Sequence, residues 1–91
     1  MKTIKAVVSG KVQGVGYRMS TRDRAKQLNI RGYVQNLSNG NVAIVARGEV
    51  ASVNSLIEWA KSGPSSAIVD SLEIEVLSDN LEEFEDFTIR Q

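Results

Sequence analysis

Tyr33-Val34-Gln35-Asn36-Leu37-Ser38-Asn39-Gly40-Asn41-Val42-Ala43-Ile44-Val45-Ala46 is the stretch that decides the fold. Two strand-like runs flank Ser38-Asn39-Gly40-Asn41, and Asn-Gly between apolar runs is a strong short-range signal for a β-hairpin. The second run is continuously apolar and ends at Gly48. A hairpin in the middle of a short chain has to be read with what lies on either side of it.

Upstream, residues 17–29 carry the helix formers Arg22, Arg24, Ala25, Lys26, Gln27 and Leu28 without Gly or Pro. The expected helix has a thin apolar face of Met19, Ala25 and Leu28, and Gly32 is its expected stop. Before it, Ile4, Ala6 and Val8 alternate with Lys5 and Ser9, the period of a half-buried strand. Downstream, residues 49–62 place Val53, Leu56, Ile57 and Ala60 at i, i+3, i+4 and i+7, one apolar helix face closed by Gly63-Pro64. Ile68-Val69 and Leu72-Glu73-Ile74-Glu75-Val76-Leu77 predict a fourth strand. Residues 84–89 predict a short fifth after a polar loop at 78–83.

The resulting order is β-α-β-β-α-β with a terminal strand. It predicts an α+β, ferredoxin-like sandwich: two helices on one face of an antiparallel sheet of four or five strands. With 91 residues and 42% hydrophobic content the chain reads as a single domain, 1–91, with one modest core. The apolar runs are too short to span a bilayer. Residues 1–8 begin with a basic residue as a signal peptide does, but Lys5, Lys11 and Gln13 break the apolar part, so a cytoplasmic protein is expected.

The second informative stretch is Gly10-Lys11-Val12-Gln13-Gly14-Val15-Gly16-Tyr17-Arg18, between the first strand and the first helix. Glycines open backbone conformations in which successive N–H groups converge, which suits an anion. The following helix N-terminus adds a favourable dipole, and Arg18 adds a planar fork matched to phosphate oxygens. The run lacks the Gly-Lys-Ser/Thr ending of a P-loop. A dinucleotide fingerprint needs a third glycine where Met19 stands, and a larger parallel sheet. A cradle for one phosphate-like group remains.

There is no cysteine and no histidine. This excludes thiolate and histidine nucleophiles, histidine bases and the usual zinc sites. Net charge is zero, but residues 1–31 hold eight Lys or Arg and one Asp, whereas residues 70–91 hold eight Asp or Glu and one Arg. The basic third contains the glycine run and would draw an anion to it. Asn36 sits in a strand-like run where asparagine is disfavoured. It can serve to end the strand, or its amide can orient a water molecule.

The glycine run resembles the first signature of the acylphosphatases. Gly32-Tyr33-Val34-Gln35-Asn36-Leu37-Ser38-Asn39-Gly40-Asn41-Val42, with Gly48 six residues later, resembles the second. Gly63-Pro64-Ser65-Ser66-Ala67-Ile68-Val69-Asp70 is similar to the family's Gly-Pro segment, so the resemblance covers nearly the whole chain. It implies a small cytosolic enzyme that hydrolyses the carboxyl–phosphate bond of acyl phosphates, with inorganic phosphate or a similar anion as product or inhibitor. It assigns phosphate binding to Arg18 and to the loop N–H groups of Gln13, Gly14, Val15, Gly16, Tyr17 and Arg18, and positioning of the attacking water to Asn36. It implies no metal and no covalent phosphoenzyme; no cofactor and no nucleic acid or membrane partner are expected, and a small monomer is the default. Gln35, Ile68 and Ser71 stand where the family often has basic residues, which leaves the middle of this chain less cationic.

That chemistry suits a chain without histidine. An acyl phosphate expels a carboxylate, whose acid has a pKa of about 4, so no general acid is required. Two rival readings share the fold. A regulatory domain that binds a small anion would keep the cradle but have no need of Asn36. An RNA-binding domain would need exposed aromatics on the central strands, and residues 42–48 contain none.

Overall fold

The computed structural model describes residues 1–78 and 84–90. Its elements run β1 (Lys2–Lys11), α1 (Tyr17–Gln27), β2 (Arg31–Asn36), β3 (Val42–Gly48), α2 (Val50–Ala60), β4 (Ile68–Val76) and β5 (Phe87–Arg90). The strands form one sheet in the order β4-β1-β3-β2-β5. The α+β, ferredoxin-like order read from the sequence is therefore present, with β5 starting three residues later than expected. The expected polar loop lies outside the described residues from position 79 to 83.

The sheet is mixed rather than wholly antiparallel. β1–β3, β1–β4 and β2–β3 pair antiparallel, but β2 and β5 pair parallel. The reason is directional. β4 runs opposite to β1, and β2 runs with β1 because each opposes β3. When the chain reverses after β4 it regains the direction of β2, so a strand added outside β2 must run parallel to it.

One face of the sheet holds the core. Ile4, Ala6 and Val8 of β1, Val34 of β2, Val42, Ile44 and Ala46 of β3 and Phe87 of β5 are buried with Val53, Leu56 and Ala60 of α2 and Tyr17 and Ala25 of α1. Burying each larger aliphatic side chain contributes about 1.5–3 kcal/mol. The apolar face of α1 differs from the expected one. Met19 is 58% exposed, and Tyr17 and Thr21 take the buried positions beside Ala25. Thr21 can be buried because its hydroxyl donates to the Tyr17 carbonyl, 2.8 Å away.

The stop of α1 also differs. The helix ends at Asn29, whose φ is 58°, and not at Gly32. Ile30 N–H donates to Ala25 O at 2.9 Å and Asn29 N–H to Lys26 O at 3.2 Å. These two bonds form a Schellman cap that satisfies the last carbonyls of the helix. Gly32 lies inside β2, opposite Ala46.

Candidate active site

The sheet topology carries the two sequence-derived site elements to one end of the molecule. Val8 of β1 pairs with Val42 of β3, which pairs with Asn36 of β2, so the three form one row across the sheet. β1 and β2 are two strand spacings apart, about 10 Å. α1 packs on β2 and β5. The loop 12–16 leaves β1 and must cross the end of β3 to reach α1, which sets the glycine run over the mouth of the β2–β3 hairpin.

Within that loop Gly14 and Gly16 have φ of 75° and 79°, while Gln13 and Val15 are not among the positive-φ residues. Alternation of φ in sign is the backbone pattern that turns successive N–H groups toward one side. Both glycines are exposed, and a Cβ added to either would meet no heavy atom within 4 Å. The space before these N–H groups is open.

Gly16 is also the N-cap of α1. No side chain caps this helix, and no acidic residue lies in its first turn. The first intrahelical bond is Ser20 N–H to Gly16 O at 3.1 Å. The N–H groups of Tyr17, Arg18 and Met19 therefore lack an intrahelical acceptor, as at any helix start. Here they sit beside an exposed loop at the positive end of the helix dipole. The basic side chains nearest in sequence are Lys11, Arg18 and Arg22, with Asp23 paired to Arg22 at 3.3 Å.

Each sequence-derived residue has a definite place. Arg18, in the first turn of α1, is half-buried, and its guanidinium makes no hydrogen bond or ion pair among the described residues. Asn36, the last residue of β2, is half-buried, and its Oδ1 is buried without a hydrogen-bond partner among the described residues. A buried acceptor left unpaired costs about 1–3 kcal/mol and calls for a specific explanation. Val15 is half-buried against the core.

Tyr17 and Gln13 use their side chains elsewhere. The Tyr17 hydroxyl donates to Ala60 O at 2.7 Å, satisfying a carbonyl that the end of α2 leaves without an intrahelical donor. Burial pushes the Tyr17 phenol well above its ordinary value, so it remains a protonated donor across the physiological range. The Gln13 amide donates to Leu37 O at 2.8 Å and to Asn41 O at 2.9 Å in the hairpin turn.

One further contact was not legible in the sequence. Ser66 Oγ donates to Val15 O at 2.8 Å, from 51 positions away. In a planar trans peptide the carbonyl and the next N–H point in opposite directions, so this bond also fixes the direction of Gly16 N–H. No sequence period or local motif marks Ser66. The loop is thus anchored on three sides: to the hairpin by Gln13, to the 64–68 segment by Ser66 and to α2 by Tyr17.

Among the described residues no group of three or more His, Cys, Asp or Glu side chains gathers as metal ligands, and no helix is long and apolar enough to cross a membrane. A cavity of about 310 Å³, lined by Met1, Asn29, Arg31, Arg47 and Phe84, lies at the opposite end of the sheet from Asn36.

The acylphosphatase family model matches residues 4–89. An acylphosphatase of Acaryochloris marina is 49% identical over 86 residues, covering 94% of this chain and 90% of that protein. The solved acylphosphatase structure from Coxiella burnetii superposes with a TM-score of 0.91 at 43% identity, covering 98% of this chain and 92% of that one. The acylphosphatase structure from Bacillus subtilis does so with a TM-score of 0.94 at 31% identity over the full length of both chains.

Proposed function

This chain belongs to the acylphosphatase family, hydrolases of acyl phosphates, and from that premise we propose how its own residues divide the work. The phosphoryl group sits in the loop 13–18, its oxygens bound by backbone N–H groups and by the Arg18 fork. Asn36 holds the attacking water opposite the carboxylate leaving group. The reaction is one in-line displacement at phosphorus.

The observation that carries this reading is the start of α1. A loop with alternating φ leads into a helix N-terminus that no side chain caps, and an Arg without a partner among the described residues stands in the first turn. Such a site offers donors and positive potential but no acceptor, so it selects an anion. In phosphoryl transfer there is little covalent work for the protein beyond positioning and charge stabilisation. Backbone dipoles fixed by three anchors supply that stabilisation without reorganising during the reaction.

Asn36 complements the cradle. Its amide can hydrogen-bond a water molecule, which aims an oxygen lone pair toward phosphorus. An amide is not a base, so the proton passes to a phosphoryl oxygen of the substrate itself. The P–O bond to the acyl group breaks as the new P–O bond forms, and the electron pair leaves on the carboxylate. A carboxylic acid has a pKa of about 4, so this leaving group departs without a proton.

The test is Asn36→Ala with benzoyl phosphate as substrate. The expected result is a fall in kcat of about 10²-fold or more, by analogy with loss of one aligned donor. The inhibition constant of inorganic phosphate should stay near the wild-type value. A large loss of phosphate affinity with normal kcat would assign Asn36 to binding or to structure instead. Phosphate binding by the wild-type protein without any turnover would favour the anion-binding regulatory reading.

A further inference from the structure

We propose that the Gln13 side chain is a positioning residue for hydrolysis, holding the end of β2, and with it Asn36, in register with the phosphate cradle. This inference rests on the role given to Asn36 above. Gln13 belongs to no helix or strand. It lies between Val12, which is buried in the core, and Gly14, which is exposed and left-handed.

Its Nε2 has two hydrogens and uses both, on Leu37 O at 2.8 Å and Asn41 O at 2.9 Å. These two carbonyls frame the mouth of the hairpin. Leu37 N–H already donates to Asn41 O at 2.8 Å, and Gly40 N–H to Leu37 O at 3.2 Å. The Gln13 amide therefore takes the remaining acceptor capacity of both carbonyls and ties the two limbs of the turn to one point on the loop. Leu37 is the residue after Asn36, so the peptide that leaves Asn36 is held at its next carbonyl.

Of the three loop anchors, the Tyr17 and Ser66 bonds run to Ala60 and to the 64–68 segment. The Gln13 bonds run to the hairpin turn, where Leu37 directly follows Asn36. A displacement of about 1 Å between a bound phosphoryl group and its nucleophile can cost about 10²-fold in rate. A two-bond tether between cradle and water-holding strand acts on that distance. Loss of the tether should slow the chemical step while the cradle, with its own anchors, continues to bind phosphate.

The experiment is a double-mutant cycle of Gln13→Met with Asn36→Ala, read with benzoyl phosphate turnover and inorganic phosphate inhibition. Methionine keeps the length of the side chain and removes the donors. In the wild-type background Gln13→Met should lower kcat by about tenfold or more and leave the phosphate inhibition constant within about threefold. In the Asn36→Ala background the same change should cost less than about threefold, because the positioned group is gone. An equal loss in both backgrounds would overturn the inference while leaving the role of Asn36 intact. Normal turnover by Asn36→Ala alone would remove the role of Asn36 and this inference with it.

Gln13→Glu gives a second readout. Its carboxylate would face two carbonyl oxygens, whereas its protonated form can donate one hydrogen bond. Relative to wild type, kcat of Gln13→Glu should recover as pH falls from 7 toward 5. A profile parallel to wild type would count against a hydrogen-bonding role.

Discussion

Replacing Gly16 by alanine separates the proposed anion-binding role of the loop backbone from its contribution to stability. Gly16 has φ 79°, and a non-glycine residue there costs about 1–2 kcal/mol. Alanine also restricts the unfolded chain, which offsets about 0.4–1 kcal/mol of that cost. No packing term is added, because the new Cβ would meet no heavy atom within 4 Å. The net destabilisation is therefore about 1 kcal/mol, a fall in Tm of about 4–8 °C for a domain of this size. Activity should suffer far more. Either the Cβ occupies the open face of the cradle, or the backbone relaxes to negative φ and turns its N–H groups away. Loss of one aligned donor costs about 10²–10³ in kcat. Calorimetry and benzoyl phosphate hydrolysis on the same preparation give both numbers. Near-normal hydrolysis at a Tm lowered by only a few degrees would refute the cradle. A fall in Tm well beyond that range would show that the loop is chiefly structural.

Arg18→Lys should lower kcat/KM for benzoyl phosphate by about 10² or more, because a point charge does not reproduce a bidentate fork; turnover within a few-fold of wild type would remove Arg18 from the site. Tyr17→Phe removes the buried bond to Ala60 O and should destabilise by about 1–3 kcal/mol, read as a lower midpoint in urea; an unchanged midpoint would mean that the carbonyl finds another donor. Asp86 is held below the ordinary carboxylate value chiefly by the Phe87 N–H, with Lys26 acting in the same direction against a desolvation penalty. A group whose pKa is depressed on folding stabilises above its unfolded value, about 3.9, and loses that contribution as pH falls through the folded one. Asp86→Asn should accordingly be less stable than wild type at pH 7, with the difference shrinking through the acid limb; a gap that persists at pH 2 would locate the effect elsewhere.

Much of the fold was legible because local signals agreed. Asn39-Gly40 between apolar runs located the hairpin, and the spacing of Val53, Leu56 and Ala60 located α2 and its buried face. The misses arose where tertiary context decided. Thr21 counts as polar in any periodicity, yet its back-bonded hydroxyl let it enter the core in place of Met19. Asn29 is a weaker left-handed signal than Gly32, but it ended α1. Which edge of the sheet receives β5, and hence its parallel pairing, depends on a crossing of the whole molecule that no local pattern encodes. At the site, glycine spacing and an asparagine in a strand were visible. The Gln13 tether spans 24 and 28 positions and the Ser66 bond 51, so only the folded chain reveals them.

The central claim is that the solvent oxygen is delivered to phosphorus and that the acyl group leaves as carboxylate. Hydrolysis of benzoyl phosphate by the wild-type protein in ¹⁸O-enriched water tests this most directly. Mass spectrometry of the products should find one solvent oxygen in the inorganic phosphate and none in the benzoate. Label in the benzoate would place the attack at the carbonyl carbon and contradict the roles given to Arg18, the loop and Asn36.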